Sequence, residues 1–171
     1  MNAIIENLLT RRSTRAFLQK EIPDNELNEI LQAAIYAPSG MGKQTWKFTV
    51  LCNQEKIQQL AELIGRKLGR KGYDMYRPQV LIIPSNQKEI HTVWKTMHVP
   101  WKHLSGCTFL RIGSVWINQL RTLCDDPEVR ALLDEFEIPS DHVVYGMAAL
   151  GYPADAPKKE IHKIGEIRII K

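Results

Sequence analysis

Apolar positions recur at helical spacing in four stretches of the chain and alternate or run together in five others. Residues 2–10 predict a short helix with Ile4, Ile5, Leu8 and Leu9 on one side. A polar turn at Pro23-Asp24-Asn25 opens a second helix, in which Leu27, Ile30, Leu31 and Ala34 share a face. Asp24 or Asn25 can cap it, and Glu26 and Glu29 favour the positive end of its dipole. It must stop near Pro38, because proline has no N–H and disfavours helical backbone before it. Trp46, Phe48 and Val50 alternate with Lys47, Thr49 and Leu51, which is a strand pattern. Asn53 can cap a third helix whose stripe is Ile57, Leu60, Leu63, Ile64 and Leu68. Val80-Leu81-Ile82-Ile83 predicts a short buried strand ended by Pro84. Residues 112–120 predict a strand, or a helix end running into one. Asp126-Pro127 starts a fourth helix with Pro at its first position and Val129, Leu132, Leu133 and Phe136 inside. Residues 142–150 and 166–170 finish as strands. Helices interleave with strands, with no internal repeat, low-complexity tract or linker. The class is α/β or α+β, in one layered domain spanning 1–171.

Composition narrows the function classes. The chain has 171 residues, 44% hydrophobic and 25% charged, the balance of an ordinary globular protein. No apolar run approaches the roughly 18 residues a membrane span needs. The N-terminus lacks a positive region and a long apolar run, so no secretory leader is expected. Cys52, Cys107 and Cys124 are odd in number and widely spaced, which argues against a disulfide framework or a zinc site and suits a reducing cytoplasm. The five histidines show no paired-ligand spacing, so no metal is expected. A net charge of +4 points to anions, either nucleic acid or a phosphorylated cofactor. Nucleic acid ranks last, because aromatic interleaving and a helix-turn-helix pattern are both missing. The charge gathers at Arg11, Arg12 and Arg15, at Arg66, Lys67, Arg70 and Lys71, and at Lys158, Lys159 and Lys163. The middle cluster reads as a solvated face.

Two constellations carry chemistry. Arg11-Arg12-Ser13-Thr14-Arg15-Ala16-Phe17 places three guanidinium groups and two hydroxyls within five residues, just past a helix. Arginine offers paired donors matched to phosphate oxygens, and Ser and Thr add shorter hydrogen bonds. On residue types alone, a basic helix end complementing the dipole is an equal account. In Ala37-Pro38-Ser39-Gly40-Met41-Gly42-Lys43-Gln44-Thr45-Trp46, proline ends a helix and two glycines allow backbone to approach a ligand. Taken alone, an ordinary helix-to-strand turn explains it. A Walker A loop is excluded, since no Gly-Lys-Ser/Thr follows a strand here. Ser39 and Ser114 lack a hydrolase context.

Together, in this order, the two constellations resemble the nitroreductase family. Its members show Arg-x-Ser-x-Arg/Lys-x-Phe, then Ala-Pro-Ser-Gly/Ser, then Gln-Pro-Trp-x-Phe. Here stand Arg11 to Phe17, then Ala37-Pro38-Ser39-Gly40, then Gln44-Thr45-Trp46-Lys47-Phe48. The likeness resumes at Gly113-Ser114-Val115-Trp116-Ile117 and again where Val144 leads to Gly151-Tyr152-Pro153. The resemblance implies an α+β fold, a three-layer α/β/α sandwich around a mostly antiparallel sheet. It also implies a homodimer with FMN at the interface and hydride passing from NAD(P)H to a small-molecule acceptor such as a nitroaromatic or quinone. By position, Arg11, Arg12, Ser13 and Arg15 hold the phosphate end, and Pro38, Ser39 and Gly40 of the other subunit pack on the ring. Asn118 lies where family backbone faces the ring edge, and Lys163 is the nearest match to a basic residue near the phosphate.

Three departures stand out. Gly42 and Thr45 occupy positions where many members have Asn and Pro. Residues 91–111 lack the family's long apolar helix, and Pro100 and Gly106 fit a helix badly. A compensated frameshift would account for that stretch, as would a native departure from the family. It leaves open a second reading, a flavin-binding protein with little or no turnover.

Overall fold

A computed structural model describes residues 2–39, 42–88, 110–155 and 165–170. Helix α1 (Ala3–Thr10) starts where the Asn2 side chain accepts the Ile4 N–H at 2.8 Å. Helix α2 spans Asp24–Ile35, and its first turn carries Asp24 and Glu26, but no side-chain bond caps it. Asn53 caps α3 (Gln54–Lys67) by accepting the Lys56 N–H at 3.0 Å. Asp126 caps α4 (Pro127–Glu135), accepting the N–H groups of Glu128 and Val129.

The strands are β1 (Trp46–Leu51), β2 (Val80–Gln87), β3 (Gly113–Ile117), β4 (His142–Val143) and β5 (Met147–Gly151). They pair in the order β1-β2-β5-β3, with β4 also on β2, and every strand pair is antiparallel. Successive side chains of a strand point to opposite faces, and that alternation divides the core in two. Leu81, Ile83, Val115, Ile117, Met147 and Ala149 join Leu60 and Ile64 of α3 and Leu133 of α4. Val80, Ile82, Ala148 and Leu150 join Leu27, Ile30 and Ala34 of α2. With helices on both faces the central strands read as continuous apolar runs, and the architecture is the layered α+β sandwich expected.

Four local expectations need correction. The second strand does not end at Pro84 but continues to Gln87. Pro84 falls between the β5 pairing, which stops at Ile82, and the β4 pairing, which starts at Asn86, so its missing N–H costs no ladder bond on that side. The strand expected over 112–120 stops at Ile117, and a 3₁₀ turn follows at Gln119–Thr122. The strand expected over 142–150 is two pieces, β4 and β5, interrupted before Met147. A Cβ on Gly146 would lie 2.0 Å from the Trp116 ring, so the interruption makes room for that indole. Residues 166–170 form no strand, and Ile167, Ile169 and Ile170 are exposed. An apolar alternation becomes a strand only where it pairs with a partner edge, and residues 165–170 pair with none among the described residues. The departing stretch falls almost wholly outside the described residues, as do Cys107 and the Lys158–Lys163 cluster.

Candidate functional site

The basic segment after α1 is extended and docks on the open edge of the sheet. Ser13 bridges Ser114 at the start of β3 in parallel, and Phe17 bridges Pro153 just past β5. The Thr14 N–H donates to the Ser114 carbonyl at 2.9 Å, and the Leu18 N–H to the Tyr152 carbonyl at 2.8 Å. Two glycines allow this close approach. A Cβ on Gly113 would meet Thr14 at 2.4 Å, and one on Gly151 would meet the Phe17 ring at 2.8 Å. Phe17 is buried and anchors the segment from below. The Tyr152 hydroxyl donates to Glu26 at 2.8 Å, tying the end of β5 to α2, and that carboxylate holds the phenol above its usual pKa.

Along the docked segment Arg11 and Arg12 are half-buried, and Ser13 and Arg15 are exposed. The Arg11 guanidinium donates to the Arg12 carbonyl at 2.8 Å. A cavity of about 220 Å³ opens beside them, lined by Thr10, Arg12, Thr14, Arg111, Ser114 and Pro153 among others. Ser114 is 2% exposed, and its hydroxyl has no hydrogen-bond partner among the described residues. An unsatisfied buried hydroxyl costs about 1–3 kcal/mol, so its position between arginines and a cavity invites an anionic acceptor. The sequence offered no sign of it, because the pairing of Ser13 with Ser114 joins positions a hundred residues apart.

The remaining expected residues lie elsewhere. Pro38 is exposed and Ser39 half-buried in the turn from α2 to β1. Ser39 organises that turn: its hydroxyl accepts the Gln44 N–H at 2.9 Å and its carbonyl accepts the Gly42 N–H at 3.1 Å. Gln44 and Gly42 both take positive φ. Asn118 is exposed just past β3, its side chain making no capping bond. It lies four positions beyond Ser114, roughly 13 Å at the usual strand rise. Gly40 and Lys163 lie outside the described residues. Among the described residues no group of three His, Cys, Asp or Glu could hold a metal ion, and no helix is long and apolar enough to cross a membrane.

The sequence model of the Nitroreductase family matches residues 8–80. A nitroreductase with bound FMN from Bacteroides fragilis is 38% identical, with a TM-score of 0.94 and full coverage of both chains. An FMN-dependent nitroreductase from Clostridium difficile is 28% identical with a TM-score of 0.75, covering 92% of this chain and 91% of that one. A protein of Archaeoglobus fulgidus whose name pairs NADH dehydrogenase with NAD(P)H nitroreductase is 28% identical over 159 residues, covering 91% of this chain and 88% of its own.

Proposed function

The chain belongs to the nitroreductase family of oxidoreductases, and from that premise we propose that it binds FMN and carries hydride from NAD(P)H to a nitroaromatic, quinone or similar electron-poor acceptor. The hydride chemistry is supplied by the flavin when bound. The protein's own work is to hold, orient and shield. Arg11, Arg12, Ser13 and Arg15 take the phosphate end, with Lys163 as a further basic partner. Ser114 adds its hydroxyl from the floor of the adjoining cavity. Asn118, at the far end of β3, marks the ring end, at a separation that suits a molecule with a phosphate at one end and an aromatic ring at the other. Pro38, Ser39 and Gly40 of a second copy close the ring face, in a homodimer working in the cytoplasm as a single domain over 1–171.

The observation that carries this reading is the Ser114 hydroxyl, buried and unpartnered among the described residues, on a residue that lines one cavity together with Arg12 and Arg111. The test is direct. Purified protein should be yellow or take up FMN on titration, lose the colour with NADPH and regain it with nitrofurazone. Ser114→Ala should make the flavin-free protein at least as stable as before, by up to about 1–3 kcal/mol more, and weaken FMN binding tenfold or more, since a hydrogen bond to a charged group contributes about 1.5–3 kcal/mol. Protein that stays colourless and takes up no FMN sinks the proposal.

The second reading, a flavin-binding protein with little turnover, rests on the departure of residues 91–111 from the family pattern. Arg111, at the edge of the departing stretch, sits at φ +57, in a region that suits glycine. Yellow protein that NADPH never bleaches supports that alternative.

A further inference from the structure

At the carboxyl end of α3 lies a cavity of about 560 Å³, within the range of roughly 300–1,000 Å³ typical of small-molecule sites. It shares no lining residue with the cavity beside Arg12 and Ser114. Arg66, Arg70, Lys71 and Arg77 converge on it, opposed by Glu62 and Asp74. From sequence Arg66, Lys67, Arg70 and Lys71 read as a solvated face. The structure asks more of them. Lys67, in the last turn of α3, turns instead to Asp126 and Glu128 of α4. Arg70 and Lys71 lie beyond the helix, after Gly69, and Arg77 comes from a separate stretch of the following loop.

That loop is held in a costly shape. Met75, Tyr76 and Arg77 are three successive non-glycine residues in the left-handed region, at φ 51, 68 and 49. Met75 is fully buried and pins the turn, while Arg77 returns to the cavity. Strain of this kind persists where surrounding packing imposes it, and it concentrates at ligand sites. The cavity wall is bare where an anion would approach: Gly69 and Gly72 have open space where a side chain would stand. Gly65 seats the half-buried Tyr73, since a Cβ there would lie 2.9 Å from the Tyr73 Cβ. The existing ion pairs, Arg66 with Glu128 and Arg77 with Asp74, join exposed side chains. Such surface pairs contribute little, and phosphate oxygens accept paired guanidinium donors at least as well.

We propose that this cleft is a second anion site, which takes a small phosphate-bearing molecule through Arg66, Arg70, Lys71 and Arg77. The inference does not depend on the flavin reading, because no residue is shared. Calorimetric titration with pyrophosphate and with ADP tests it, on the protein as purified and after addition of FMN, with sulfate as control. Saturable binding at least tenfold tighter than sulfate and unchanged by FMN is the expected result. In R70A/K71A, and separately in R77A, it should weaken at least tenfold with flavin content and melting temperature unchanged, while R70K/K71R retains most of it. ADP binding tighter than pyrophosphate supports the site and assigns a base contact near Tyr73. Equal affinities support it with phosphate as the whole of recognition. No saturable heat, sulfate binding equally well, loss of the binding once a single equivalent of FMN is taken up, or full binding in the alanine variants each overturns it.

Discussion

His142 illustrates how much one buried side chain depends on its surroundings. It is 7% exposed at the start of β4, and its Nδ1 lies 3.0 Å from the hydroxyl of the fully buried Ser85. Burial pushes its pKa below the ordinary 6.5; Asp141 opposes that, and Lys47 and Arg130 reinforce it. Below about pH 6.5 the unfolded chain takes up a proton that the folded protein resists, so stability is full above that pH and falls as pH falls. One proton limits the slope to about 1.4 kcal/mol per pH unit. Urea unfolding across pH 5 to 7 (roughly the histidine range) should show this loss, and His142→Gln should flatten it. An equally steep loss in the variant would assign the dependence to another group. Ser114 makes the complementary point, since its meaning comes from what it lacks. The arginines beside it were visible in the sequence as a basic cluster. A buried hydroxyl without a partner is visible only in three dimensions.

At the scale of elements, α3 and α4 end alike with different residues. In α3 the Arg70 N–H reaches back to the Gly65 carbonyl at 2.8 Å across Gly69, which has φ +64. In α4 the Ile138 N–H reaches the Leu133 carbonyl at 3.0 Å, but the left-handed position is held by Glu137 at φ 58. Both are the same helix-ending turn, and only one has the residue that adopts it without a Cβ penalty. Glu137→Gly should therefore stabilise the protein by about 0.5–1 kcal/mol, after allowing for the extra freedom of glycine in the unfolded chain. Gly69→Ala should cost about 1 kcal/mol. Denaturant midpoints measure both, and a destabilised Glu137→Gly would show that the Glu137 side chain contributes more than its strain costs. Helix starts were legible for the same local reason: Asn53 and Asp126 cap the helices that the apolar stripes implied. The extent of β2 was not, because Pro84 is tolerated through the gap between two neighbouring strands, a non-local circumstance.

At the scale of the whole molecule, α1 buries none of its residues, and Ile4, Ile5, Leu8 and Leu9 are 61%, 48%, 59% and 63% exposed. An amphipathic helix gains its stability mainly by burying its apolar face, and this one has no cover among the described residues. Ile167, Ile169 and Ile170 are exposed as well. A second copy of the chain is the partner the proposed flavin site also requires. Leu8→Glu/Leu9→Glu should therefore shift the protein to monomer by light scattering and lose most bound flavin together with the dimer. Dimers that persist in the variant would move the interface away from α1.

The amino-acid sequence alone determined the helices, the caps at Asn53 and Asp126, the apolar character of the central strands and the basic run from Arg11 to Arg15. Each of these is a short-range property, carried by periodicity, by side-chain donors near a backbone end, or by charge. Tertiary structure decided which strands pair, which face each helix covers, and that Ser114 comes to lie beside Ser13. It also gathered Arg77 with Arg66, Arg70 and Lys71 around one cavity. Those outcomes depend on loop closure and packing between residues far apart in the chain, and no local pattern records them.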